Sequence, residues 1–266
     1  MGGKGLNLVL AMKWGLIFSL TVILMTMVIV SDAPGNDNIP YEPGEKLTFE
    51  VKWAFIPAGQ AVLEIFPFEM INGKRAYHFV MTANTHEYID VIYKVRDRID
   101  AYTDEGMTHS ILYSKKSDGH SKKEVVVNFH WDKKEAQYMN NGQKRAPISI
   151  LPGSFDPLSV FYAFRLHDLR EARTLERPVT DGKRCIMGRA KIIKKEKITV
   201  GRTSYDTYLV ELDMEEVGGV FQKTKNAKLQ IWITADEDRI PVRIKSELII
   251  GSFIGELISF QKGHLQ

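Results

Sequence analysis

The chain has 266 residues, 44% of them hydrophobic and 26% charged, with a formal net charge of +3. That length holds one large β domain or two small ones, the balance is ordinary for a globular protein, and so small and dispersed a surplus of charge leaves no footprint for nucleic acid. A single cysteine, Cys185, excludes an intramolecular disulfide and any zinc centre built mainly from thiolates.

Lys4 and Lys13 precede an uncharged run from Trp14 to Val30, the layout of a basic leader followed by an apolar core. The run is slightly long for a signal peptide and slightly short for the roughly 20 residues of a membrane span. Ser31-Asp32-Ala33 supplies small residues for cleavage and Pro34 opposes it. Residues 1–33 therefore read as a signal peptide or as an N-terminal membrane anchor. Positive charge at the start keeps that end in the cytoplasm. The rest is expected in the periplasm, free after cleavage or held at the inner membrane by residues 14–30. No Cys follows the run, which excludes lipoprotein anchoring there. Residues 34–44, polar and rich in Pro, Gly and Asn, read as a linker, and residues 45–262 as a single β-rich domain.

In that domain Leu47, Phe49, Val51, Trp53 and Phe55 alternate with polar residues, as in a half-buried antiparallel strand. Pro57-Ala58-Gly59 marks a turn or bulge, and Gln60 to Phe66 is the next strand. Asn72-Gly73 is a hairpin signal, followed by alternation through Tyr77, Phe79 and Met81. From Tyr93 to Tyr102, Tyr93, Val95, Asp97, Ile99 and Ala101 share one face, which puts the acid Asp97 on an apolar side. A buried acid needs a partner, so Asp97 is either a hydrogen-bonded structural group or a polar point inside a ligand cavity. Asp118-Gly119 and Asn141-Gly142 mark further hairpins, with strands at Lys123 to Trp131 and Ala136 to Met139.

One helix interrupts the strands. Asp156 is a natural N-cap, Pro157 suits the first helical position, and Leu158, Phe161, Tyr162 and Arg165 fall on one face. A segment so aromatic is buried on more than one side, which places a helix near 156–168 inside a curved sheet. Beyond it, Asp181-Gly182 is a turn. Strands follow at Arg184 to Val200, Tyr205 to Met214, Ala227 to Thr234, Val242 to Ile250 and Ile254 to Gln261. Many short strands at spacings of about 8–12 residues give a mainly β fold, a sandwich or a barrel.

Motifs that announce an enzyme are missing: no Gly-x-Ser-x-Gly elbow, no Gly-x-Gly-x-x-Gly, no phosphate-binding loop and no His-Glu-x-x-His. The seven histidines are scattered, and no metal or cofactor site is expected. The basic run Lys191 to Lys197 reads as a solvated strand face or, less simply, as a contact with a membrane surface.

Three stretches together resemble one known family. Pro43-Gly44-Glu45-Lys46-Leu47-Thr48-Phe49-Glu50-Val51-Lys52-Trp53 with Ile56-Pro57-Ala58-Gly59-Gln60-Ala61 is similar to its opening hairpin. Asp156 to Arg165 resembles its helix, and Ile231 to Ile244 followed by Gly251 its closing strands. The family is the exported bacterial domain of unknown function 3108, and the resemblance runs from about Tyr41 to Phe260. It implies export and a long antiparallel sheet curled into an open barrel or spiral around a helix, a shape that looks like lipoprotein carriers of the envelope. It implies no activity. On that architecture Trp53, Phe161, Tyr162 and Trp232, with Asp97, are the candidate ligand-binding residues. The leading expectation is a non-enzymatic envelope protein that binds a lipid, lipoprotein or cell-wall component. An envelope scaffold acting by protein contact and an envelope hydrolase using Asp97, Asp156 or a His are the alternatives.

Overall fold

The computed structural model describes residues 39–119, 122–213, 228–248 and 251–264. The chain divides after Gly35, and everything below concerns the unit Asn36–Gln266. The apolar run Trp14 to Val30 lies outside the described residues, as do Met214, Ala227, Ile249 and Ile250 at the ends of expected strands. Among the described residues no helix is long and apolar enough to cross a membrane.

The chain first lays down β1 (Lys46–Trp53), β2 (Ile56–Ile71), β3 (Lys74–Thr85), a one-turn helix α1 (Glu87–Asp90), β4 (Arg96–Asp104), β5 (Ser110–Asp118), β6 (Lys122–His130) and β7 (Glu135–Asn140). Two-residue strands β8 (Gln143–Lys144) and β9 (Ile148–Ser149) lead to helix α2 (Ser159–Arg165). The second run comprises β10 (Thr174–Thr180), β11 (Cys185–Val200), β12 (Thr203–Asp213), β13 (Lys228–Thr234), β14 (Pro241–Leu248) and β15 (Gly251–Gln261). Each run is an antiparallel meander, and β1 pairs with β15, so the two join into one sheet ordered β10 to β15, then β1 to β8.

The fold is mainly β, one curled and open sheet with helix α2 on its inner side, as the strand pattern and the family resemblance together led us to expect. Its margins β10 and β8 do not pair with each other. A strap crosses between them instead: β9 pairs with β7, and Phe155 makes a parallel bridge to Val179, with Phe155 N donating to Pro178 O (2.9 Å) and Thr180 N to Phe155 O (2.8 Å).

Three details depart from the sequence reading. Strands β5 and β10 were not anticipated, because neither alternates cleanly: β5 runs Ser-Ile-Leu-Tyr-Ser-Lys-Lys-Ser-Asp and β10 holds Pro178. Residues 93–95 lie in the connection before β4 rather than in a strand. Helix α2 is shorter than 156–168. Its C-terminal end tightens, with Leu166 N bonding Ala163 O and His167 N bonding Phe164 O (both 3.3 Å), and the chain then turns.

Two apolar clusters fill the inner side. Leu47, Phe49, Leu63, Ile65, Phe79, Val127, Tyr138 and Tyr162 belong to one, while Leu169, Leu175, Ala190, Val210, Ile231 and Ile233 form the other. Phe161 and Phe164 of α2 pack against both. A third, smaller cluster joins Ile198, Val200 and Val242.

Candidate functional site

Strand register arranges the inner side in rows, and burial decays from row to row. The deepest is Ile65–Phe79–Ala101–Tyr113–Val127–Tyr138, every member buried. The next is Leu63–Met81–Ile99–Lys115–Val125, in which Met81, Ile99 and Lys115 are half-buried. The outermost is Ala61–Ala83–Asp97–Ser117, half-exposed throughout. Across the seam the same trend leads from buried Ile231 through half-buried Ile244 to Phe253, which stands opposite Trp53. The helix therefore plugs one end of the curled sheet and leaves apolar side chains uncovered at the other.

The plugged end is built around Arg165. Its side chain is fully buried and grips Glu45 with two prongs, Nη1 to Oε1 at 2.6 Å and Nη2 to Oε2 at 2.9 Å. Nη2 also donates to the Asp238 carbonyl (3.0 Å), and Arg239 Nη1 donates to the Arg165 carbonyl (2.7 Å). The guanidinium sits 5.0 Å from the Tyr41 ring and 5.7 Å from that of Tyr162. Burial tends to discharge a guanidinium, but the Glu45 carboxylate overcomes this and holds the Arg165 pKa above its usual value. Glu45, Arg165 and Asp238–Arg239 come from the opening hairpin, the helix and the closing strands. The three stretches that carry the family resemblance thus meet at one buried ion pair.

Asp156 starts the helix as a cap. Its Oδ1 accepts from Leu158 N (2.8 Å) and Ser159 N (2.9 Å), while Oδ2 accepts from the Ser110 hydroxyl. Burial raises its pKa, against the pull of these hydrogen bonds. With the carboxylate sealed and its oxygens occupied, Asp156 is a structural group.

The five candidate binding residues separate. Asp97 lies on the inner side at the open end, ion-paired with Lys115 at 2.7 Å. Trp53 stands at the rim of the same face, 39% exposed. Phe161 is half-buried where the two main clusters meet. Tyr162 is fully buried and stacked on Phe79 at 4.1 Å, so it is floor rather than wall. Trp232 stands apart from the other four, packed against the third cluster of Ile198, Val200 and Val242. Alternation with buried Ile231 and Ile233 turns it to the outer face, where its Nε1 donates to Glu196 Oε1 (2.9 Å) and the Arg243 guanidinium lies 5.8 Å from its ring.

Residues missed at the sequence level include Met81, Ile99 and Lys115. The alternation of β3 and β4 could have found the first two. Lys115 was hidden because its strand was not anticipated. Among the described residues no three His, Cys, Asp or Glu side chains gather to hold a metal ion. Surface clefts of about 100, 200 and 520 Å³ lie beside Asp168 and Tyr208, beside Tyr41 and Lys262, and beside Phe66 and Arg75. Neither Asp97 nor Asp156 lines any of these three clefts.

The fold has solved counterparts. A β-barrel-like protein of domain of unknown function DUF1849 from Brucella abortus aligns with a TM-score of 0.53 at 8% identity, over 85% of this chain and all of its own. A Bacteroides fragilis protein with a YmcC-like fold, proposed to be exported, aligns with a TM-score of 0.38 at 8% identity, over 84% of this chain and 98% of its own. The first shows a shared fold; the second is too distant to support more. No curated protein matches the chain. The family model described as "Protein of unknown function (DUF3108)" matches residues 48–258, and the chain belongs to that family.

Proposed function

We propose that this domain is a non-enzymatic protein of the bacterial envelope that holds the apolar part of a lipid or lipid-modified partner at the open end of its curled sheet. The observation that carries this reading is the graded burial of the inner rows. Met81, Ile99 and Phe161 face inward yet keep part of their surface open, and a stable monomer gains nothing from leaving an inner apolar wall uncovered. Asp97 and Lys115 stand beside that wall as a charged pair that could meet a polar head group. The apolar run near the start of the chain supports export and a periplasmic setting.

Native mass spectrometry with lipid extraction, on protein recovered from a bacterial periplasm, tests it. Retained lipid that is lost in a Met81→Asp, Ile99→Asp variant is the expected result. A clean apo mass would overturn the reading.

A further inference from the structure

Strand β11 is longer than the strand that covers it. β10 pairs with β11 from Cys185 to Lys191, and the last main-chain bond on that side runs from Ile192 N to Arg173 O (3.0 Å). β11 continues to Val200 with only β12 beside it. Among the described residues, no main chain pairs with residues 193–198 on the outer side. Side chains do not close this edge either. Thr207 Oγ1 reaches Glu196 O from the β12 side (2.9 Å), and Arg243 Nη2 takes the Thr199 carbonyl just beyond (2.8 Å). The fold guards its other margins. β8 and β9 have two residues each, and β10 holds Pro178, which has no N–H, and is bridged by Phe155. From Lys194 to Ile198, β11 has no proline, no bulge and no strap.

What this edge carries is the basic run Lys191 to Lys197. Arg173, Lys191, Lys194, Lys195, Lys197 and Arg202 are exposed on and beside it and outnumber Glu171, Glu196 and Asp206. The neighbouring Asp168 and Arg170 pair with each other. Lys194 pairs with Glu196 at 2.9 Å and Lys197 with Asp206 at 3.7 Å. Arg173, Lys191, Lys195 and Arg202 have no carboxylate partner among the described residues, and Lys195 lies 5.8 Å from the Tyr208 ring. Charge of one sign guards an edge against a second copy, whose identical strand would set lysine against lysine. The same charge favours an acidic strand. Parity adds a second requirement. Lys195 and Lys197 share a face with Tyr208 and Asp206, whereas Ile198 lies on the other face and packs with Val200 and Val242. A strand laid along this edge therefore sets alternate residues beside lysine and beside an apolar cluster.

We propose that the outer edge of β11, at residues 193–198, receives an extended segment of a partner protein in which acidic residues alternate with apolar ones. The segment adds one more strand to the sheet: main-chain hydrogen bonds hold it, and the lysines select it. This edge lies on β11 and not on the inner rows, so the inference is independent of ligand capture by those rows.

The test is amide hydrogen exchange, read by mass spectrometry on the full chain recovered from a bacterial periplasm. The probe is a synthetic peptide, capped at both ends, that alternates Glu with Val and Ile. Exchange across 193–198 is expected to slow when the peptide is added, while exchange in the β2–β3 hairpin around Asn72 is unchanged. The same peptide with N-methyl groups on alternate amides keeps its charge but loses strand pairing, and should give no protection. A peptide with Lys in place of Glu should give none either. Lys195→Glu with Lys197→Glu is expected to weaken the acidic peptide about tenfold. That variant should accept the lysine peptide instead, with its far-ultraviolet circular dichroism spectrum unchanged.

Unchanged exchange at 193–198 with the acidic peptide at millimolar concentration would overturn the proposal and leave the lysines as guards of the edge alone. Protection that survives N-methylation, or that the lysine peptide gives equally, would overturn it by removing strand pairing or charge from the recognition. Protection that arises without peptide and grows with protein concentration would assign the edge to a second copy of the chain. Protection given by anionic vesicles and not by the peptide would assign the basic run to a membrane surface. Either result sinks the proposal.

Discussion

Arg165 and Glu45, 120 residues apart in sequence, meet in a two-pronged ion pair sealed from water. Desolvating two charges is costly, and their attraction compensates only while both are present. Glu45→Gln or Arg165→Met is therefore expected to destabilise the domain by about 3–5 kcal/mol. The double variant Glu45→Gln, Arg165→Met should lose much less than the sum of the two. Urea unfolding of the four proteins measures the coupling, and additive losses would show that the pair does not act as a unit.

Asp156 should imprint a pH dependence opposite in sign to that of a salt-bridged acid. Burial raises its folded pKa above the ordinary 3.8, so the folded state holds this proton more tightly than the unfolded chain does. Stability from this group is greatest below pH 3.8, falls as pH rises through the window up to the folded pKa, and is level beyond it. Asp156→Asn keeps the shape, an acceptor for the Leu158 and Ser159 amides and a donor toward Ser110, and should flatten that decline. Asp156→Ala should cost about 1–2 kcal/mol at every pH through loss of the cap. Unfolding free energies between pH 4 and 7 separate the two, and identical pH profiles for wild type and Asp156→Asn would refute the assignment.

Gly59 is required by close approach of backbone. It stands between Val51 and Thr85 in the β1–β2–β3 ladder, and a Cβ there would fall 2.2 Å from the Asn84 carbonyl oxygen and 2.8 Å from Thr85 Cα. Gly59→Ala must push strand β3 aside, at an expected cost of about 2–3 kcal/mol. Gly142→Ala is a useful comparison. Unlike Gly59 it has a positive φ, +79°, and nothing lies within 4 Å of its added Cβ, so it should cost only the conformational penalty, about 1 kcal/mol.

Much of this architecture was legible because strand alternation is a local signal. Phe49 is buried and Glu50 is not, as their parity in β1 requires. Trp232 shows where parity stops helping. It sits in Ile231-Trp232-Ile233, where every residue is apolar, so composition pointed inward and only the paired register turned the ring outward. Arg165 shows a second limit. Its place on the helix could be read from spacing, but its partner Glu45 lies on another element and no local pattern joins them. The open end was illegible for a related reason. How far helix α2 extends along the sheet depends on where its ends tighten, which is a property of the assembled core.

Inner and outer substitutions should separate cleanly in ligand binding. Met81→Asp, on the half-buried inner row, is expected to lower retained lipid about tenfold, the effect of losing one apolar contact of that size. Trp232→Phe removes the hydrogen bond to Glu196 and should cost about 1 kcal/mol of stability with lipid retention unchanged. Lipid extraction of both variants checks this, and a loss in Trp232→Phe alone would move the binding surface to the outer face.

The pairing of β1 with β15 sets the order in which this chain can fold. Lys46 stands against Gln261 and Trp53 against Phe253, so the first and last strands form the seam at the middle of the sheet. Each meander can assemble from neighbours, but neither has its central partner until the end of the chain is available. A seam of such long sequence separation slows folding. It also keeps a partly emerged chain from locking prematurely: whichever end leads through a narrow passage, the final closure waits for the other.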